Sequence, residues 1–260
     1  MFCNINNTDE KTYCYTLYTI MPKNLINHKT IIKAMMKEAD ADKGKFLGHF
    51  FKTGKGQYGE GDKFLGITVP VTRALAKQYS EASLEDVAVL IKNSYHEIRL
   101  LGLLILVSKY EKAKADNERK ALVTFYHANR KGINNWDLVD LSVYKIWGDY
   151  LRRHPEKRSE LYKYSRSKNL WDRRLAVVST IALIKNGEFE EIIELAKMLL
   201  NDKEDLMHKA VGWMLREMGK KDEKVLRHFL DEYATRLPRT ALRYAIERLP
   251  EKERLRYLRM

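Results

Sequence analysis

Cysteine is nearly absent from this sequence: of 260 residues only Cys3 and Cys14 carry a thiol. The chain beyond them can form neither an internal disulfide nor a thiolate metal site, which suits a reducing, cytoplasmic compartment. The seven histidines show no His-x-x-x-His pair or other ligand spacing, so neither a metal nor a cofactor is expected. No apolar run approaches the ~20 residues of a membrane span. The N-terminus lacks the basic start and apolar stretch of a signal peptide, and no membrane partner is expected. From His28 onward no stretch alternates with period two, which argues against strands.

What the chain does hold is helical periodicity and positive charge. Apolar residues make up 45% and charged residues 32%, enough to bury a sizeable core and too apolar for general disorder. Lys and Arg number 48 against 35 Asp and Glu, a net +13. The surplus is distributed: residues 141–260 hold 27 basic and 19 acidic side chains, leaving +5 for the first 140. Such a surface is either a solvated helical exterior or one that favours a polyanion, most simply a nucleic acid.

Residues 1–27, polar and rich in Tyr and Asn, differ from the rest of the chain and read as a disordered or over-long leader before a single domain over 28–260. Apolar spacings of three and four predict helices over 31–39 and 45–52, one from Pro70 to about 78, and one over 84–92 behind the Ser83/Asp86 capping pair. Ten more are expected at about 95–110, 116–130, 135–152, 157–167, 170–185, 188–200, 204–218, 222–234, 238–248 and 250–258. Pro155, Pro238 and Pro250 fall at breaks between them. Short helices with short connections indicate stacked helix pairs. The expected fold is all-α, a right-handed solenoid of about six degenerate HEAT-like pairs, curved around a basic concave groove.

Within this array, Asn134-Asn135-Trp136-Asp137-Leu138-Val139-Asp140 puts Trp136 and Asp140 on one helical face. Trp171-Asp172-Arg173-Arg174 and Trp213-Met214-Leu215-Arg216 each place an arginine one turn after a tryptophan. Trp147 has no polar partner one turn on and is assigned to the core. Arginine beside an aromatic ring is suited to phosphate, because its planar fork pairs with two oxygens. Core packing and surface pairing are the bland readings of each motif taken alone.

Gly54-Lys55-Gly56-Gln57-Tyr58-Gly59 spells G-x-G-x-x-G, yet a dinucleotide fingerprint needs a preceding strand and a following helix, and no G-K-[ST] makes it a P-loop. Two readings stay open here. One is a flexible surface loop; the other is a set of exposed amides that grips phosphate with Lys52, Lys55 and Lys63 while Tyr58 reaches the substrate.

Phe64-Leu65-Gly66-Ile67-Thr68-Val69-Pro70, Asn135 to Asp140, Trp171 to Arg174 and Lys209-Ala210-Val211-Gly212-Trp213-Met214-Leu215-Arg216-Glu217, in this order and spacing, resemble the HEAT-repeat DNA alkylation repair proteins, the AlkD-like alkylpurine DNA glycosylases. The resemblance covers about residues 30–250. It implies hydrolysis of the N-glycosidic bond of purines alkylated at N3 or N7 in double-stranded DNA, without a cofactor. It further implies Asp140 as the catalytic carboxylate, Trp136 and Trp213 as rings flanking the lesion, and Arg174 as a hand on the DNA backbone; Arg173 and Arg216, each beside a tryptophan, and Lys209 are read from the residues themselves as extending a basic track along the backbone. The family also brings an early aromatic to the lesion; Tyr58 and Phe51 both fit that place. A monomer is expected. A non-catalytic DNA-structure binder and a protein-binding HEAT scaffold are the alternatives on the same fold.

Overall fold

The computed structural model describes Pro22 and residues 26–260, so most of the expected leader lies outside the described residues. These are all-helical, and their one β-type contact is an isolated bridge between Lys63 and Tyr95. In order the α-helices are α1 His28–Lys37, α2 Ala41–Phe50, α3 Val69–Gln78, α4 Leu84–Ile91, α5 His96–Lys112, α6 Asp116–Ala128, α7 Trp136–Val143, α8 Asp149–Arg153, α9 Ser159–Ser165, α10 Leu170–Ser179, α11 Ile181–Lys185, α12 Glu190–Met198, α13 Asp205–Lys221, α14 Glu223–Tyr233, α15 Arg239–Ala245 and α16 Glu251–Arg259.

The helix starts are written in short polar side chains that take up orphan amides. Asn27 accepts from Thr30 N, Asp40 from Lys43 N, Ser83 from Asp86 N and Asp222 from Val225 N. The Asp40 cap moves the second helix earlier than the apolar spacing predicts. Pro238 and Pro250 stand at the caps of α15 and α16, where the missing N–H costs least.

The expected helix over 135–152 is not uniform. It widens into a π-helical turn at Tyr144–Gly148 between α7 and α8, one turn beyond Asp140. Such turns insert an extra residue and re-aim the side chains around them.

Packing runs from neighbour to neighbour. Helix α5 lies on α7, α7 on α10, α10 on α13 and α13 on α15, while α6 packs on α5, α9 on α10, and α12 and α14 on α13. That pattern is consistent with an α-solenoid, in which each unit buries its apolar face only against the next. Trp147, Leu138, Leu175 and Leu215 are fully enclosed along the seam, each contributing roughly 1.5–3 kcal/mol of burial. The row brings the starts of α7, α10 and α13 side by side.

Candidate functional site

At the start of α7 the Asn135 side chain does two things. Its oxygen accepts the Trp136 amide at 2.8 Å, and its amide donates to Asp62 Oδ2 at 3.1 Å. Helix α7 is thereby tied to the end of the Gly-rich segment. Trp136 stacks on Phe51 at 5.2 Å and 14°, and Phe50 meets it edge-on at 6.2 Å. Tyr58, half-buried, presents its ring to Trp171 at 6.3 Å and 74°. Burial lifts the Tyr58 phenol above its ordinary value, against the Trp136 indole, Lys209 and Arg174, while Asp137 adds to the rise. Both early aromatics therefore reach the tryptophans, Phe51 as a buried backing for Trp136 and Tyr58 between α7 and α10.

One helical turn after Trp136, Asp140 forms a two-pronged ion pair with Arg174. Nε donates to Oδ1 at 2.9 Å and Nη2 to Oδ2 at 2.8 Å, and Nη1 donates to the Leu206 carbonyl at 2.5 Å. The arginine is enclosed; the Asp140 side chain keeps 11% of its surface open. Burial raises the Asp140 carboxyl above its ordinary value, with Arg174 opposing and Asp137 reinforcing the rise. Each carboxylate oxygen has a second lone pair that the guanidinium does not use.

Each residue of the expected basic track has a partner within the chain. Arg174, read as a hand on the DNA backbone, spends its fork on Asp140 and Leu206. Arg173 is spent on Asp202, at 2.6 and 3.2 Å, and on the carbonyls of Ser167 and Lys168. Arg216 is bonded to Glu247 and lies 3.7 Å from Glu217, which also accepts the Trp213 indole at 3.2 Å. Lys209 pairs with Asp205 at 2.7 Å. The spacing along one helix shows where an arginine points. It does not show the acid that the next helix extends over it.

The amides of the Gly-rich loop have partners too, which favours the plain surface loop of the two readings. Gly54 N donates to Gln57 Oε1, Gly56 N to Glu60 Oε2 and Gly59 N to the Lys52 carbonyl, so three amides proposed for phosphate are used within the loop.

A second cluster, which the sequence reading missed, holds this loop in place. His96, at the start of α5, lies with Nε2 2.8 Å from Asp137 Oδ2 and Nδ1 3.4 Å from Asp62 Oδ2, and Arg99 Nη2 is 2.7 Å from Asp62 Oδ1. Burial works against charge on His96, but Asp137 and then Asp62 outweigh it and raise the imidazole to about 9. For Asp62, burial is likewise outweighed, by His96, Arg99 and Asn135, and its carboxyl falls below the usual range. Phe64 stacks on the imidazole at 4.7 Å. Next to it the Glu97 carboxylate accepts the amides of Leu65, Gly66 and Ile67 at 2.9–3.3 Å. Gly66 is required there: its φ of 82° is left-handed, and a Cβ would strike the Asp40 carbonyl.

The described residues form an all-helical array consistent with an α-solenoid, and it holds a buried Asp140–Arg174 pair and the His96 cluster close to a group of aromatic rings. The chain belongs to the DNA alkylation repair enzyme family, which it matches over residues 31–249. Among solved structures it is similar to a predicted DNA alkylation repair enzyme from Enterococcus faecalis, with a TM-score of 0.65 and 18% identity over 82% of this chain and 98% of that one. That likeness is one of fold. No curated protein matches the chain. Among the described residues no helix is long and apolar enough to cross a membrane.

Proposed function

We propose that this family member is a DNA glycosylase that hydrolyses the N-glycosidic bond of N3- or N7-alkylated purines in duplex DNA. The observation that carries the reading is the Asp140 carboxylate, one helical turn after Trp136 and fixed on both oxygens by Arg174, with 11% of its side chain left open. Alkylation leaves the purine cationic, so the C1′–N bond can break with its electron pair going to the base and no general acid is needed. Charge then develops on the sugar, and water adds to C1′ with loss of a proton. A preorganised carboxylate beside that sugar stabilises it without reorganising. Trp136, Trp213 and Tyr58 contact the lesion and its sugar, and Lys209 stands at the rim towards the backbone. Arg174 serves as the residue that orients Asp140.

The same reading takes the helices as about six HEAT-like pairs in a right-handed solenoid, whose basic concave groove seats the duplex. The protein works as a cytoplasmic monomer in base excision repair. One observation favours a second reading, a DNA-structure binder without catalysis: Asp140 is nearly closed, and both its oxygens are already bonded. Incubating the protein with methylated duplex DNA and measuring free 3-methyladenine and 7-methylguanine separates the two. Release that is lost in Asp140→Asn supports the glycosylase; salt-dependent binding without release gives the site to the second reading.

A further inference from the structure

We propose that the outer face of α2, formed by Phe46 and Phe50, is a stacking platform for an unstacked base of duplex DNA. This deepens the reading of the neighbouring groove as a DNA site and rests on it. Phe46 and Phe50 are 68% and 52% exposed, among the most exposed large apolar side chains of the described residues. Four residues apart, they share one face of a single helix. The opposite face is fixed inward, because Gly44 lies so close to the Phe64 carbonyl that a Cβ would stand 2.8 Å from it. Helix α2 cannot roll its rings under.

The platform is continuous with the site. Phe50 meets Trp136 at 6.2 Å and Phe51 at 5.1 Å, so rings run without a break from solvent to the residue one turn from Asp140. Its flanking charges on α2 cancel locally, Lys43 against Asp40 and Lys45 against Asp42. The segment after α2 carries Lys52, Lys55 and Lys63, all exposed and without an ion pair among the described residues. Exposed rings followed in the chain by exposed cations suit a base and its phosphate, since every base offers a π-face. A second copy of the chain is the poorer occupant. Two phenyl rings bury at most roughly 500 Å², against about 800 Å² per partner in a stable interface.

The experiment uses a duplex with 2-aminopurine opposite a tetrahydrofuran abasic analogue, titrated with the full-length protein. Wild type should quench the 2-aminopurine fluorescence and prefer this duplex to the fully paired one. Phe50→Leu, which keeps an apolar side chain but no ring, should lose the quenching and about tenfold of the preference, and Phe46→Leu/Phe50→Leu more. Phe50→Trp should keep both. Unchanged quenching and preference in the double variant overturn the proposal. So does concentration-dependent self-association that the double variant abolishes while preference stays intact. Quenching without base release by wild type would leave the platform standing and remove the glycosylase. Release by a double variant with unchanged quenching would do the reverse.

Discussion

Asp140 on α7 and Arg174 on α10 are joined through both carboxylate oxygens, and the same guanidinium holds the Leu206 carbonyl at the head of α13. Three helices meet at one arginine. The pair is thus both the centre of the proposed chemistry and a structural junction, and experiments on it must separate those roles.

Asp140→Asn should reduce base release at least a few hundredfold, the value of roughly 3–4 kcal/mol of electrostatic stabilisation. It also strands a buried guanidinium, at a cost of about 3–5 kcal/mol in folding. Arg174→Gln placed on top of it should return part of that stability and none of the activity. Denaturant unfolding and base release, measured on the same preparations below the unfolding transition, check both. Substantial release by Asp140→Asn would remove the carboxylate from the mechanism.

The pH profile follows from the same pair. Burial lifts the Asp140 carboxyl above its ordinary 3.8, and Arg174 restrains the rise. Stabilising a cationic sugar needs the ionised form, so kcat/KM for release should fall with acid along a limb that lies above 3.8. Removing the restraint in Arg174→Gln should move that limb further up. The effect on folding has the opposite sign. The folded state binds this proton more tightly than the unfolded state, so Asp140 disfavours folding increasingly as pH rises from 3.8 through its folded value.

His96 acts oppositely on stability. Its imidazole is raised from 6.5 to about 9, so the stabilisation from its charged form is complete below about 6.5 and lost as pH rises towards 9. The span corresponds to on the order of 3 kcal/mol. Asp62, held below the usual range, contributes above its unfolded value and loses that contribution as pH falls through its folded one. Wild-type stability should therefore decline between pH 6.5 and 9, and His96→Gln should flatten that slope. Urea unfolding across the range tests it; an equal slope in both proteins would mean that the cluster is not ionised as described.

How far the sequence alone reaches can be read from these two clusters. Helical periodicity placed most helices, because a buried stripe leaves its trace along a single chain, and Ser83 and Pro70 marked starts through local bonds. Trp136 and Asp140 were visible as one face of one helix. The Arg174 pairing was not, since its partner lies 34 positions away on another helix. The His96 cluster was less visible still: Asp62, His96, Arg99, Asn135 and Asp137 come from three segments and form no local pattern. The π turn after Asp140 has no composition cue at all. What a single sequence withholds is the contact across helices, and there the site is made.

That difference bears on where DNA affinity comes from. The arginines expected to grip phosphate are bound to acids of their own chain, Arg173 to Asp202 and Arg216 to Glu247. A phosphate would have to displace a partner already in place, whereas Lys52, Lys55 and Lys63 carry no such partner among the described residues. Each of these lysines that contacts a phosphate should contribute about 0.9 to the slope of log affinity against log salt. Lys52→Gln/Lys55→Gln/Lys63→Gln should flatten the slope by up to about 3, with folding stability unchanged. Arg216→Gln should do the reverse, lowering stability and leaving the slope alone. Binding isotherms at several salt concentrations settle the matter; a slope reduced by Arg216→Gln and not by the lysine changes would return the contact surface to the arginine track.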